Sequence, residues 1–242
     1  VKDAIEAPNV KLIGFHCHIG SQIFALHSFR EAAQVMIEFI ARVQKEYGIE
    51  IPELDLGGGL GVAYLATDKP SSIDDFAECT TRAVKDFCAE YGVPEPRILV
   101  EPGRSLVANA GVTLYTVGIL KTLPGIRNIV AIDGGMSDNI RTALYGAEYE
   151  PVIANKANQP RTKVVTLVGK HCESGDAVAA DASIQNPDLG DIVCMFGTGA
   201  YCHSMSSRYN GQPRPGIVFV KDGKARLVTR RETYADLMSC DL

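Results

Sequence analysis

Hydrophobic positions recur at helical spacing in two stretches of the first hundred residues. Phe29, Ala32, Val35, Met36, Phe39, Ile40, Val43 and Tyr47 form one stripe, and Ile73, Phe76, Cys79, Ala83, Val84, Phe87 and Tyr91 form a second. Residues three and four apart share one face of a helix, so each stripe predicts an amphipathic helix with a buried side. Both stripes stop at a glycine, Gly48 and Gly92, the residue that takes a left-handed C-terminal cap without strain. Each is opened by a capping-box pair, Ser28 with Glu31 and Ser72 with Asp75. There a hydroxyl satisfies a free helix amide and a carboxylate three residues on reciprocates. Short apolar runs at 10–18, 53–56 and 97–100, bounded by proline and glycine, read as strands.

The unit repeats. Glu46-Tyr47-Gly48 and Glu90-Tyr91-Gly92 close successive helices, and the strand ends at His18, Gly57 and Glu101 lie 39 and 44 residues apart. Strand–helix alternation at that spacing predicts βαβ units and a parallel sheet. After about residue 108 the helical stripes fade. Strand-like runs replace them at 112–120, 129–132, 163–169, 191–196, 216–220 and 225–228, with Asp222-Gly223 as a hairpin turn between the last two. The polar stretch 155–161 reads as a loop. The expected organisation is an α/β domain over 1–108 followed by a mainly β domain over 109–242. Three α/β strands cannot close a barrel. They form either an open sheet or the tail of a barrel whose first half is absent. The chain opens on Val1-Lys2-Asp3 without an initiator Met, which suggests a processed or incomplete chain.

Composition narrows the class. With 46% hydrophobic and 22% charged residues, the chain is globular rather than fibrous or disordered. A net charge of −5 leaves no basic footprint for nucleic acid or an anionic membrane. No apolar run approaches the roughly 20 residues of a membrane helix, and no signal peptide is visible. Seven cysteines, Cys17, Cys79, Cys88, Cys172, Cys194, Cys202 and Cys240, contain no CxxC pair. They read as reduced thiols of a cytoplasmic protein.

Polar and glycine-rich phrases follow each predicted strand, where α/β barrels and open α/β sheets both place their sites. Gly57-Gly58-Gly59-Leu60-Gly61 is either a tight turn or a set of backbone amides that approach an anion such as phosphate. It is neither GxGxxG nor a P-loop. His16-Cys17-His18 puts two imidazoles on one strand face. That is a possible start for a metal-dependent hydrolase, but His27, His171 and His203 stand in no ligand-like phrase, and no metal is expected. Glu101-Pro102-Gly103-Arg104 offers a carboxylate and a guanidinium that either pair with each other or face a ligand. In the β half, Met136-Ser137-Asp138-Asn139-Ile140-Arg141, His171-Cys172-Glu173-Ser174-Gly175-Asp176 and Gly197-Thr198-Gly199-Ala200-Tyr201 stand out. Cys172 is either an inert core thiol or a reactive one.

Taken in order, HIGSQ, GGGLG, EPGR, MSDNIR with LYGA, CESGD and TGAY resemble the pyridoxal-phosphate decarboxylases of the alanine-racemase-like fold, over residues 13 to 209. The resemblance implies the C-terminal part of a (β/α)8 barrel followed by a β domain. It implies pyridoxal phosphate as cofactor, with its phosphate near Gly58, Gly59, Ser21 and the turn at Gly103 and Arg104. His18 would stack on the pyridine ring, Glu101 would pair with the ring nitrogen, and Tyr201 would touch cofactor and substrate. Arg104, Arg141, Tyr145, Glu173 and Tyr201 would hold the substrate, and Cys172 would return a proton to it. In related dimers this cysteine reaches the partner's barrel, so a homodimer with shared sites is implied.

Arginine forks suit carboxylates. Two arginines and one glutamate fit a substrate with a second amino-acid head, which a simple diamine precursor such as ornithine lacks. The reaction that the resemblance implies, and that this charge pattern favours over ornithine decarboxylation, is loss of the carboxyl at the D-centre of meso-diaminopimelate, giving L-lysine. Alternatives are decarboxylation of ornithine, arginine or carboxynorspermidine, an HxH metal-dependent hydrolase, or a non-catalytic paralogue that binds a phosphate ligand. One departure stands out: the lysine that links to the cofactor in this family falls on an early barrel strand, upstream of residue 1. Lys156, in a phrase that echoes the usual one, lies in a polar loop of the β half and is rejected. The 242 residues alone are expected to lack cofactor linkage and activity.

Overall fold

A computed structural model describes all 242 residues, which divide into two compact units, 1–63 with 67–107 and 64–66 with 108–242. The first unit runs α1 (Lys2–Glu6), β1 (Gly14–His16), α2 (Leu26–Tyr47), β2 (Glu53–Asp55), α3 (Ile73–Tyr91), β3 (Arg97–Leu99) and α4 (Gly103–Val107). The strands form a three-stranded parallel sheet in the order β1-β2-β3. Each helix buries one face, though not residue for residue as the stripes predict: Ala33, Ile37, Ile40 and Val43 of α2 pack with Ala83, Val84, Phe87 and Cys88 of α3 over Leu54 of β2, while Val35 and Ile73 are exposed. Gly48 and Gly92 take left-handed conformations, and their amides bond back to Gln44 and Cys88. The α3 capping box forms in full, with Ser72 Oγ accepting from the Asp75 amide.

The other capping box does not form. The α2 helix starts at Leu26, with Ala25 at its N-cap and no side-chain cap. Ser28 sits inside the first turn. Packing sets this start: Phe29 meets Phe76 edge-to-face at 4.8 Å in a small cluster with Leu60, and Leu26 packs against it. The first strand is also shorter than its apolar run, because β1 pairs only with β2 over three residues.

The second unit holds β4 (Val112–Leu123), β5 (Arg127–Ile132), α5 (Arg141–Tyr145), β6 (Pro151–Ile153), β7 (Lys163–Val168), β8 (Ala177–Ile184) and β9 (Ile192–Phe196). These six strands form one sheet in the order β6-β9-β4-β5-β7-β8. The long β4 pairs with β9 through its first half and with β5 through its second, across an irregularity at Val117–Ile119. The sheet curls, so that β6 lies beside β8, and the Ile153 amide donates to Gln185 Oε1 at 2.9 Å. Inside sit Tyr115, Val117, Val130, Ile132, Tyr149, Ile153, Leu167, Ile184 and Met195. A separate hairpin follows, β10 (Ile217–Lys221) and β11 (Lys224–Thr229), turning at Asp222-Gly223 with both φ angles positive. Last comes the single turn α6 (Tyr234–Leu237). No helix is long and apolar enough to cross a membrane.

Candidate active site

In the first unit the three strands end in step. Parallel register pairs His16 with Asp55 and Asp55 with Leu99. Side chains alternate along a strand, so His16, Asp55 and, two residues beyond Leu99, Glu101 share a face; His18 lies past the end of β1. His16 Nε2 lies 3.2 Å from Glu101 Oε2. Asp55 Oδ1 accepts from the Gly57 amide at 2.8 Å. One ligand atom each from His16, Asp55 and Glu101 falls within 4.8 Å of the others. The two imidazoles of the HxH phrase do not converge: His18 Nδ1 accepts from the Gly58 amide at 3.2 Å, which puts its proton on Nε2.

The glycine phrase is built against neighbouring backbone. A Cβ on Gly57 would lie 2.4 Å from the Cys17 carbonyl oxygen, one on Gly58 would lie 2.1 Å from that of Glu101, and one on Gly59 would lie 2.4 Å from that of Gly20. Gly57 and Gly59 also have positive φ, 66° and 107°. The Gly59 carbonyl accepts from Ile23, but its amide donates to no group of the chain. Glu101 and Arg104 do not pair with each other. Arg104 is buried and donates to Ser21 Oγ at 2.7 Å, so the serine hydroxyl proton faces away from the guanidinium. Gly103 opens α4 with nothing within 4 Å of a notional Cβ.

In the second unit Asp176 is the hub. It is buried and accepts from the amides of Met136 at 2.6 Å and His171 at 2.8 Å, tying the Met136 phrase to the His171 phrase. His171 Nε2 contacts Ser137 Oγ at 2.8 Å. The intervening turn leaves Cys172 exposed and reduced, so it is not a core thiol. Glu173 accepts from the Tyr209 hydroxyl, and that bond raises the Tyr209 pKa. Tyr209 was not evident as a site residue: it lies 36 positions from Glu173 with no local signal. Arg141 is buried, donates to the Tyr149 hydroxyl at 2.5 Å, and lies over the rings of Tyr64 and Tyr149. Tyr145 is exposed, and Tyr201 is held at φ 61°.

Lys156 is committed elsewhere. Its Nζ meets Asp188 Oδ2 and Asp191 Oδ2, each at 2.6 Å. Hydrogen bonds to both raise its pKa, the opposite of what an amine nucleophile needs. Burial would raise Asp191, but bonds from Lys156 and Asn155 outweigh it and hold the carboxyl low. A depressed carboxylate contributes stability above its ordinary pKa of about 3.9 and loses it as pH falls further. Lys156→Met is therefore expected to lower the urea midpoint at pH 7, by an amount that shrinks as the pH approaches about 3. An equal loss at both pH values would count against the pairing.

Against this geometry the comparisons are specific. Residues 1–108 match the family profile described as the pyridoxal binding domain of pyridoxal-dependent decarboxylases. Relatives matched along the whole chain include diaminopimelate decarboxylases. The Bacillus subtilis enzyme of that name is 44% identical over 242 residues, covering 100% of this chain and 55% of the relative. The diaminopimelate decarboxylase of M. jannaschii in complex with L-lysine superposes with a TM-score of 0.91 at 35% identity, covering 100% of this chain and 54% of that one. The Helicobacter pylori enzyme with L-lysine gives a TM-score of 0.85 at 30% identity, covering 98% and 56%. The motif-based resemblance is thus supported along the whole sequence, and this chain spans just over half the length of the relatives it matches.

Proposed function

We propose that this chain forms the C-terminal part of a pyridoxal-phosphate-dependent decarboxylase that converts meso-diaminopimelate to L-lysine and carbon dioxide. The observation that carries the reading is the gathering of His18, Gly57–Gly59, Ser21, Glu101 and Arg104 at the same end of three parallel strands. In this reading the strands are the tail of a (β/α)8 barrel, whose sites lie at that end.

The residues fit the cofactor. The Gly59 amide and the Ser21 hydroxyl are donors suited to a phosphate, in a cradle that any Cβ would fill. His18, held through Nδ1, presents a flat ring for stacking. Glu101 keeps one oxygen without a hydrogen bond, available to a protonated ring nitrogen. Bound there, pyridoxal phosphate supplies a sink for the electrons left when carbon dioxide departs.

The chain's own residues do the rest. Arg104 and Arg141 suit the substrate's carboxylates, and Glu173 with Tyr145 and Tyr201 suits its distal ammonium group. Arg141 is buried among tyrosines with no carboxylate partner, as a guanidinium awaiting an anion would be. Cys172, exposed on its turn, returns the proton to the substrate carbon, and it serves the site of a second copy in a homodimer. In this reading the enzyme works in the cytoplasm.

The test fuses the segment of the Bacillus subtilis relative that this chain does not match ahead of Val1 and supplies pyridoxal phosphate. Release of L-lysine from diaminopimelate is expected, with ornithine turned over at least about 100-fold more slowly, because a site built to pair a distal carboxylate is left unpaired without one. No lysine, or equal turnover of ornithine, would end the proposal.

A further inference from the structure

Glu101 does not stand alone at the strand ends. The only side chain that donates to it is His16, through Nε2 at 3.2 Å, since Arg104 is turned to Ser21. The strand register fixes this meeting: His16 is the cross-strand partner of Asp55, and Asp55 that of Leu99, two residues before Glu101. Asp55 is itself held by the Gly57 amide and brings a second carboxylate within 4.8 Å. Two neighbouring carboxylates repel, so Glu101 without a donor on that side would rotate away from Asp55. His16 and Glu101 side chains are 52% and 57% exposed. A pair so exposed adds little to stability, at most about 1 kcal/mol, so fold stability is a weak reason for an imidazole here.

We infer that His16 is a positioning residue: it fixes one oxygen of Glu101 and thereby aims the other at the cofactor's ring nitrogen. This rests on the proposed function, which assigns Glu101 to that nitrogen. The inference concerns only the contact made through the nitrogen, and that contact can be isolated without any turnover.

Two probes without an aldehyde serve on the 242-residue chain: pyridoxine phosphate, and its carbocyclic analogue with C–H in place of the ring nitrogen. Their affinities are measured by quenching of tyrosine fluorescence. The wild-type chain is expected to prefer the pyridine probe by about tenfold, the worth of one charge-assisted hydrogen bond. Glu101→Gln should abolish that preference. His16→Ala should reduce it by about threefold or more while leaving the carbocyclic probe unaffected, and His16→Gln, which keeps a donor in place of Nε2, should retain it. If Glu101→Gln abolishes the preference while His16→Ala keeps it, or weakens both probes equally, the positioning role is overturned and the cofactor assignment stands. If the wild-type chain shows no preference, or Glu101→Gln leaves it intact, the cofactor assignment itself falls.

Discussion

Gly58→Ala is expected to cost about 3 kcal/mol of stability in the α/β unit and to weaken binding of pyridoxine phosphate by at least about 100-fold. The added Cβ would lie 2.1 Å from the Glu101 carbonyl oxygen and 2.9 Å from its carbonyl carbon. Both atoms belong to backbone, so no rotamer change relieves the contact. Overpacking in a rigid setting typically costs 1–3 kcal/mol and occasionally more, about the range expected here. The strain falls where the Glu101 amide donates to the Gly57 carbonyl at 2.7 Å and the Leu56 amide to the Leu99 carbonyl at 3.0 Å. Opening that seam moves Glu101 away from both His16 and the glycine turn. Gly58 is the informative choice because its φ is not positive, whereas Gly57 and Gly59 would add left-handed strain to any clash. Gly118→Ala, in β4, is the control: its φ is not positive and its Cβ would meet only the Ala131 carbonyl oxygen, at an ordinary 3.8 Å. Urea denaturation with probe titration checks the pair of variants, and a Gly58→Ala chain as stable and as retentive as wild type would show that the strand ends are not packed as described.

The contrast between Gly58 and Ser28 shows what the sequence made legible. Periodicity located α2, α3 and their glycine stops, because those features depend on residues within one or two turns. The α2 start did not follow its capping signal, because Leu26 and Phe29 gain more from the Leu60–Phe76 cluster than a serine cap offers. The strand β8, Ala-Val-Ala-Ala-Asp-Ala-Ser-Ile, escaped notice since alanine favours helix. Pairing with β7 overrides that preference. At the site, each glycine, histidine and carboxylate was visible in its own phrase, but the partner of each was not. The short spacing of Glu101 and Arg104 made a local pair plausible. The actual partners, His16 and Ser21, lie 85 and 83 positions away and come from strand register and loop placement. Glu173 with Tyr209 and Lys156 with Asp188 and Asp191 are of the same kind. Local grammar gives elements and candidate chemistry; long-range pairing decides which candidates meet.

Cys172→Ala carries the other large effect, and of a different type. The thiol is exposed on the turn between β7 and β8, held from below by Asp176 through the His171 amide. Its loss leaves no cavity, so the denaturation midpoint should hardly move. Lysine formation by the fused enzyme should nonetheless fall by about 100- to 1,000-fold, the usual worth of a positioned proton donor. Cys172→Ser, with a hydroxyl that gives up its proton far less readily, should recover little of it. Mixing separates a thiol that serves its own copy from one that serves its neighbour. Cys172→Ala and Glu101→Gln subunits, each nearly inactive alone, are unfolded together and refolded at equal amounts. If each site draws Glu101 from one copy and Cys172 from the other, half the dimers are mixed and each of those holds one intact site. Activity should then return to about one quarter of wild type. Two subunits that stay inactive when mixed would place both residues of a site in one copy, and full turnover by Cys172→Ala alone would remove the thiol from the reaction.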